Sequence, residues 1–159
     1  MKKLTAFSLT GWALLALFSS WTAQAESPAN STLVTIQDAW ARPSNPGSTV
    51  GAAYMTLTSS KDASLVEAKA DVSDSVEIHS MSMENGVMKM RMLESLDLSA
   101  GKPYKLSPGG FHLMLFDLKK PLRVGDSVNF VLTFKLANKS LVKQNVKASV
   151  KDAPAAASH

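Results

Sequence analysis

Alternation of apolar and polar residues runs through most of this chain. It is cleanest where Val128, Phe130, Leu132, Phe134 and Leu136 interleave with Asn129, Val131, Thr133, Lys135 and Ala137, five periods of the two-residue repeat that a half-buried strand requires. The same pattern predicts strands over Thr32–Trp40, Val50–Thr58, Ser64–Ala70, the stretch from Ser75 through Met83, Val87–Met92, Ser95–Ser99, Pro103–Leu106, Phe111–Phe116 and Leu141–Val150. Turn residues punctuate them: Pro43-Ser44-Asn45-Pro46-Gly47, Ser59-Ser60-Lys61-Asp62, Asn85-Gly86, Ser107-Pro108-Gly109-Gly110 and Ala137-Asn138-Lys139-Ser140. Beyond residue 25 no window of a dozen residues has helical periodicity, and there is no internal repeat. Short strands at regular spacing imply an all-β, antiparallel Greek-key β-sandwich or barrel.

The first 25 residues break this pattern. Met1-Lys2-Lys3 gives a positive start, Leu4 to Phe18 is mainly apolar, and Ala23-Gln24-Ala25 is an A-x-A cleavage pattern. Residues 1–25 read as a cleaved secretory signal peptide. The apolar run is interrupted by Ser8, Thr10 and Gly11 and falls short of the about twenty residues a membrane span needs, so no stable membrane insertion is expected after cleavage. The expected organisation is a signal peptide at 1–25, a mobile leader at 26–31, one β-sandwich domain at 32–150 and a low-complexity, disordered tail at 151–159. The protein is expected in the periplasm.

Composition narrows the chemistry. The 159 residues contain 17 Lys and Arg against 13 Asp and Glu; removing Lys2 and Lys3 with the leader leaves 15 basic side chains and a charge of +2. That balance, without any basic patch interleaved with aromatics, excludes nucleic acid as a partner. There is no cysteine, so no disulfide staples the fold and no lipobox is present. Soft-metal chemistry would have to come from thioether and imidazole.

Those groups are crowded. Six of the eight methionines and two of the three histidines lie between His79 and Met114. Asn85-Gly86 between two alternating runs is a strong hairpin signal, and a two-residue turn fixes the register. Glu84 then pairs with Val87, Met83 with Met88, Met81 with Met90 and His79 with Met92. All six of those His and Met side chains share one face, while Ser80, Ser82, Lys89 and Arg91 share the other. The sulfur-rich face is either packing, for which methionine is a common filler, or a ligand site.

His112 and Met114 are two apart on a predicted strand and point to one face. His79 and Met90 are diagonal neighbours in the hairpin, within reach for long side chains. His79, Met90, His112 and Met114 thus form a candidate set of two imidazoles and two thioethers. Neutral soft donors without a carboxylate favour Cu(I) over zinc, calcium or manganese. Protons compete only at the imidazoles, so Cu(I) affinity is expected to fall on acidification.

The spacing His79-x10-Met90-x21-His112-x-Met114 resembles that of the PCu(A)C periplasmic copper chaperones. The resemblance extends through Asp38-Ala39-Trp40-Ala41-Arg42, Gly51-Ala52-Ala53-Tyr54, Gly86-Val87-Met88-Lys89-Met90-Arg91 and Pro108-Gly109-Gly110-Phe111-His112-Leu113-Met114-Leu115, about residues 33 to 150 in all. It implies a cupredoxin-like β-sandwich that binds one Cu(I) and supplies copper for cytochrome c oxidase assembly, with copper-donating or copper-accepting periplasmic proteins as partners. Many relatives carry methionine directly after the first histidine. This chain has Ser80 there, which leaves Met81 as a fifth or alternative donor. Some relatives take Cu(II) on a His/Met-rich tail; here the tail offers only His159, for which no role is expected, and Cu(II) stands only as an alternative to the one Cu(I).

Other functions fit less well. An electron-transfer cupredoxin needs a cysteine thiolate beside its histidines. No nucleophile motif, Gly-rich phosphate loop or HExxH sequence marks an enzyme. A metal-free β-sandwich adhesion or assembly module is the remaining alternative. Trp40 and Tyr54 read as core or rim packing, and Arg42 as either an edge ion pair or part of a partner surface.

Overall fold

A computed structural model describes residues 32–153. The expected signal peptide, the leader at 26–31 and residues 154–159 of the tail lie outside the described residues. Ten strands make up the domain: β1 (Val34–Ala41), β2 (Gly51–Ser59), β3 (Ala63–Ala70), β4 (Ser73–Glu84), β5 (Val87–Leu93), β6 (Leu96–Leu98), β7 (Pro103–Leu106), β8 (His112–Leu118), β9 (Ser127–Leu136) and β10 (Leu141–Val150). Each coincides with a predicted strand to within a few residues at either end, because the two-residue repeat and the turn chemistry agree along the chain.

The strands hydrogen-bond in the order β5-β4-β8-β2-β1-β10-β9-β3-β6, with β7 added along β2. The path ends on β5 at one side and β6 at the other, so this is a sandwich and not a closed barrel. One pairing departs from the expected antiparallel arrangement: β1 and β10 run parallel, with Trp40 opposite Ser149 and Ala41 opposite Val150. A parallel pair needs a long crossover. Here that crossover is the rest of the domain, which local alternation cannot reveal.

The core is made by one face of each strand. Val128, Phe130, Leu132 and Phe134 of β9 are fully buried and pack with Met55, Leu57, Leu65, Leu113 and Leu115. On β4 and β8, Ile78, Leu113 and Leu115 point inward, so Glu77, His79, His112, Met114 and Phe116 must point to the opposite, outer face of the sheet.

A bulge in β1 shapes that outer face. Ile36 lies opposite Leu57, but past Asp38, whose φ is +52°, the register shifts and Trp40 lies opposite Tyr54. Without the extra residue Trp40 would fall opposite Ala53 and face the core. The bulge turns it outward instead, where its ring lies 4.5 Å from that of Tyr54.

The β4–β5 hairpin has the predicted register throughout: Glu84 opposite Val87, Met83 opposite Met88, Met81 opposite Met90 and His79 opposite Met92. Asn85 and Gly86 have φ of +51° and +77°, the two positive values that a type I′ turn demands. On the polar face Glu84 ties the arms together, 2.9 Å from Lys89 and 3.1 Å from Arg91. The Lys89 hydrogen bond, with help from the Arg91 charge, holds the Glu84 carboxyl below its ordinary value of 4.5. A carboxylate so depressed contributes order above that ordinary value and loses it as pH falls through the depressed one. Amide-exchange protection of residues 80–91 is therefore expected to drop below pH 4.5 ahead of the rest of the sheet. In Glu84→Gln the hairpin should be looser already at neutral pH, with that acid step missing.

Candidate metal site on the outer sheet face

His79 and His112 are directly opposite one another across β4 and β8, and Glu77 is opposite Met114. Their positions follow from the turn before β8. Gly109 takes a φ of +84°, the Gly110 N–H donates to Ser107 O (3.0 Å) and the Ser107 N–H donates to Phe111 O (2.8 Å), which makes His112 the first residue of the strand. The Gly110 carbonyl accepts the Met81 N–H of β4 at 3.1 Å and the His112 Nδ1–H at 3.1 Å. One carbonyl thereby locks the strand pairing and sets the His112 tautomer, leaving its Nε2 with a lone pair.

Both imidazoles are buried although they sit on the outer face: His79 is 8% exposed and His112 4%. Aromatic rings cover them. Their own ring centroids are 5.6 Å apart, Tyr54 lies 6.4 Å from His112, and Phe116 lies 6.1 Å from His79. Trp40 backs Tyr54, and the Arg42 guanidinium is 6.0 Å from the Tyr54 ring centre. Burial pushes the Tyr54 hydroxyl above its usual value, with the Arg42 charge opposing in part, so Tyr54 stays neutral. Trp40 and Tyr54 are indeed packing residues: Tyr54 lies beside His112 and Trp40 stands behind Tyr54. Arg42 lies against this aromatic wall.

His79 is held by a residue that the sequence reading passed over. Its Nε2–H donates to Glu77 Oε2 at 2.8 Å. This leaves Nδ1, which is buried and has no hydrogen-bond partner. A buried lone pair without a partner is costly unless something binds it. The Glu77-Ile78-His79 spacing carried the signal, since residues two apart on a strand share a face. Among the described residues there is no group of three or more His, Cys, Asp or Glu side chains arranged to hold a metal.

Of the four residues singled out from sequence, the fold brings three close together. His79, His112 and Met114 occupy adjacent positions on β4 and β8, and Met114 is half-buried. Met90 belongs to β5, one strand further out, diagonal to His79 and 48% exposed. Met83, Met88 and Met92 are also exposed. Packing against a core is thus excluded as their role, because Met83 at the end of β4 and the methionines of the edge strand β5 are all exposed. An open groove lined by Asp62, Asp97, Lys135 and Lys139 contains none of these residues.

Residues 34–146 match the family described as "Putative lipoprotein LpqE-like". The chain belongs to the LpqE-like family. A curated relative, "Putative lipoprotein Lxx21020" of Leifsonia xyli subsp. xyli, is 31% identical over 115 residues, 72% of this chain and 69% of that protein. Among solved structures, the solution structure of "CuI-DR1885" from Deinococcus radiodurans is similar with a TM-score of 0.58 and 33% identity, covering 78% of this chain and 82% of that one. The structure titled "Copper-bound PCuAC domain from PmoF2" has the same fold, with a TM-score of 0.59 at 23% identity, covering 77% and 95%. The architecture of this LpqE-like chain is accordingly the cupredoxin-like, PCuAC-type β-sandwich. Its location is periplasmic, as for an exported protein of this family. The lipid implied by the family's name has no attachment residue here, since the sequence contains no cysteine.

The hydrogen bond from His79 to Glu77 gives the carboxylate a clear role toward any ion bound at Nδ1: it fixes the tautomer and the orientation of the ring. Glu77→Gln is expected to weaken binding of a soft ion at the histidine pair by about 10–100-fold, the usual size of such outer-shell effects. Competition against a chromophoric Cu(I) chelator measures it, and an unchanged affinity would show that Glu77 merely occupies the face.

Proposed function

We propose that this protein is a periplasmic copper chaperone that holds one Cu(I) on His79, Met90, His112 and Met114 and delivers it for cytochrome c oxidase assembly. The observation that carries the reading is the buried, partnerless Nδ1 of His79, a residue directly opposite a second buried imidazole on the neighbouring strand. With His112 Nε2 and the Met114 thioether on the same face, the donor set is neutral and soft, which suits Cu(I). The likeness, at 33% identity, to a protein whose title names its Cu(I) form supports the same ion.

Copper is here cargo, and the protein acts as a carrier, not an enzyme. In this reading His79, His112 and Met114, on two inner strands, supply a fixed base, and Met90, on the exposed edge strand, supplies the movable donor. A ligand on the edge can be exchanged for a partner's donor without opening the core. The partners that fit are periplasmic proteins offering stronger donors, such as thiolates, for the handover. Residues 1–25 serve as the export leader, 32–150 as the copper-binding domain, and 26–31 and 151–159 as its flanks.

Bicinchoninate competition on the purified protein tests the reading. One Cu(I) per chain is expected, and Met114→Leu, which preserves volume but removes the sulfur, should weaken it by at least about tenfold, or about 1.4 kcal/mol. A Met114→Leu protein with wild-type Cu(I) affinity would sink the assignment.

A further inference from the structure

The hairpin tip carries three thioethers that the histidine site does not use. Met83 and Met88 face each other across β4 and β5, and Met81 is the next residue on the same face of β4, diagonal to Met88. Directly opposite residues have Cβ atoms about 4.5–5.5 Å apart and diagonal ones about 7–8 Å apart, so three flexible methionine side chains can bring their sulfurs together. Met83 is 64% exposed and Met88 46%. Large apolar side chains at the tip of an edge hairpin bury little surface, and a protein with no use for them there would carry polar residues instead.

We infer that Met81, Met83 and Met88 form a second, thioether-only site for a soft monovalent cation, Cu(I) or Ag(I), at the hairpin tip. Three neutral sulfurs without oxygen or imidazole donors reject hard cations and suit a three-coordinate d10 ion. The charged residues nearby are on the opposite face, where Glu84 engages Lys89 and Arg91, so neither cation faces the sulfurs. Met83 is four residues from His79 along β4, about 13 Å at the rise of a strand. An ion held by Met83 and Met88 therefore cannot also touch the histidine pair. The two sites are separate, and the outer one lies at the most exposed end of the sheet. There an ion can be received or surrendered while the inner site stays filled.

Silver titration of the purified protein, followed through the methionine methyl and histidine ring NMR signals, tests the inference. Ag(I) is soft and redox-silent, and sulfur ligation moves the adjacent methyl. In the wild type, the Met81, Met83 and Met88 methyls should move together in a step distinct from that of the His79 and His112 rings, for two ions per chain. His79→Ala/His112→Ala should keep the methyl step. Met83→Leu/Met88→Leu, at exposed positions where the swap leaves the fold intact, should abolish the Met81 shift and reduce the stoichiometry to one. The inference is overturned if the Met83 or Met88 methyl stays unmoved under excess silver. It also fails if the methyls move in the same step as the rings, or if Met81 still responds in the leucine variant. A ring step without a methyl step leaves the copper-carrier reading standing alone; a methyl step without a ring step does the reverse.

Discussion

His112→Ala should lose Cu(I) affinity by more than about 100-fold, beyond the range of outer-shell changes, while the domain stays folded. The imidazole is buried on the outer face, not in the core, and its backbone position is held independently of its ring. The Gly110 carbonyl that accepts the His112 Nδ1–H also accepts the Met81 N–H, so it keeps a partner when the ring is removed. What is lost is the imidazole of His112, whose ring centre lies 5.6 Å from that of His79. The expected outcome is near-complete transfer of copper to bicinchoninate at concentrations where the wild type retains it, with a thermal midpoint lowered by only a few degrees. A fold that collapses, or copper binding that survives, would each contradict the separation of site from core.

Phe130→Ala should have the largest effect on stability. Phe130 is fully buried at the centre of β9, between Val146 of β10 and Ala70 of β3, and belongs to the one continuous apolar cluster of the sandwich. Truncating a buried phenylalanine costs about 3–5 kcal/mol through lost transfer energy and a residual cavity. A domain of this size has about 5–15 kcal/mol in total, and with no cysteine there is no cross-link to limit the damage. Urea unfolding is the measurement. The midpoint should fall sharply with an unchanged slope, whereas Leu141→Ala, at an exposed position of β10, should stay within about 0.5 kcal/mol of wild type. A Phe130→Ala protein within about 1 kcal/mol of wild type would mean that the alternation along β9 does not mark the core.

The sequence by itself determined every strand in the described domain and the register of the β4–β5 hairpin. Both are local properties: strand periodicity fixes which side chains share a face, and Asn85-Gly86 fixes which residues are opposite. The two His-x-Met-type elements could likewise be placed on shared faces from spacing alone. Only the tertiary structure decided which elements lie beside one another and what covers each face. It set His79 against His112 across strands far apart in sequence, ran β1 parallel to β10, and turned Trp40 outward through the Asp38 bulge to stand behind Tyr54. It also put the methionines of β5 on an open edge, which removed packing as their explanation, and gave Glu77 the task of orienting His79. The physical reason is the same in each case. Alternation divides a strand into two faces, but whether a face meets a core, an aromatic layer or water depends on neighbours supplied by distant segments, and local pattern holds no record of them.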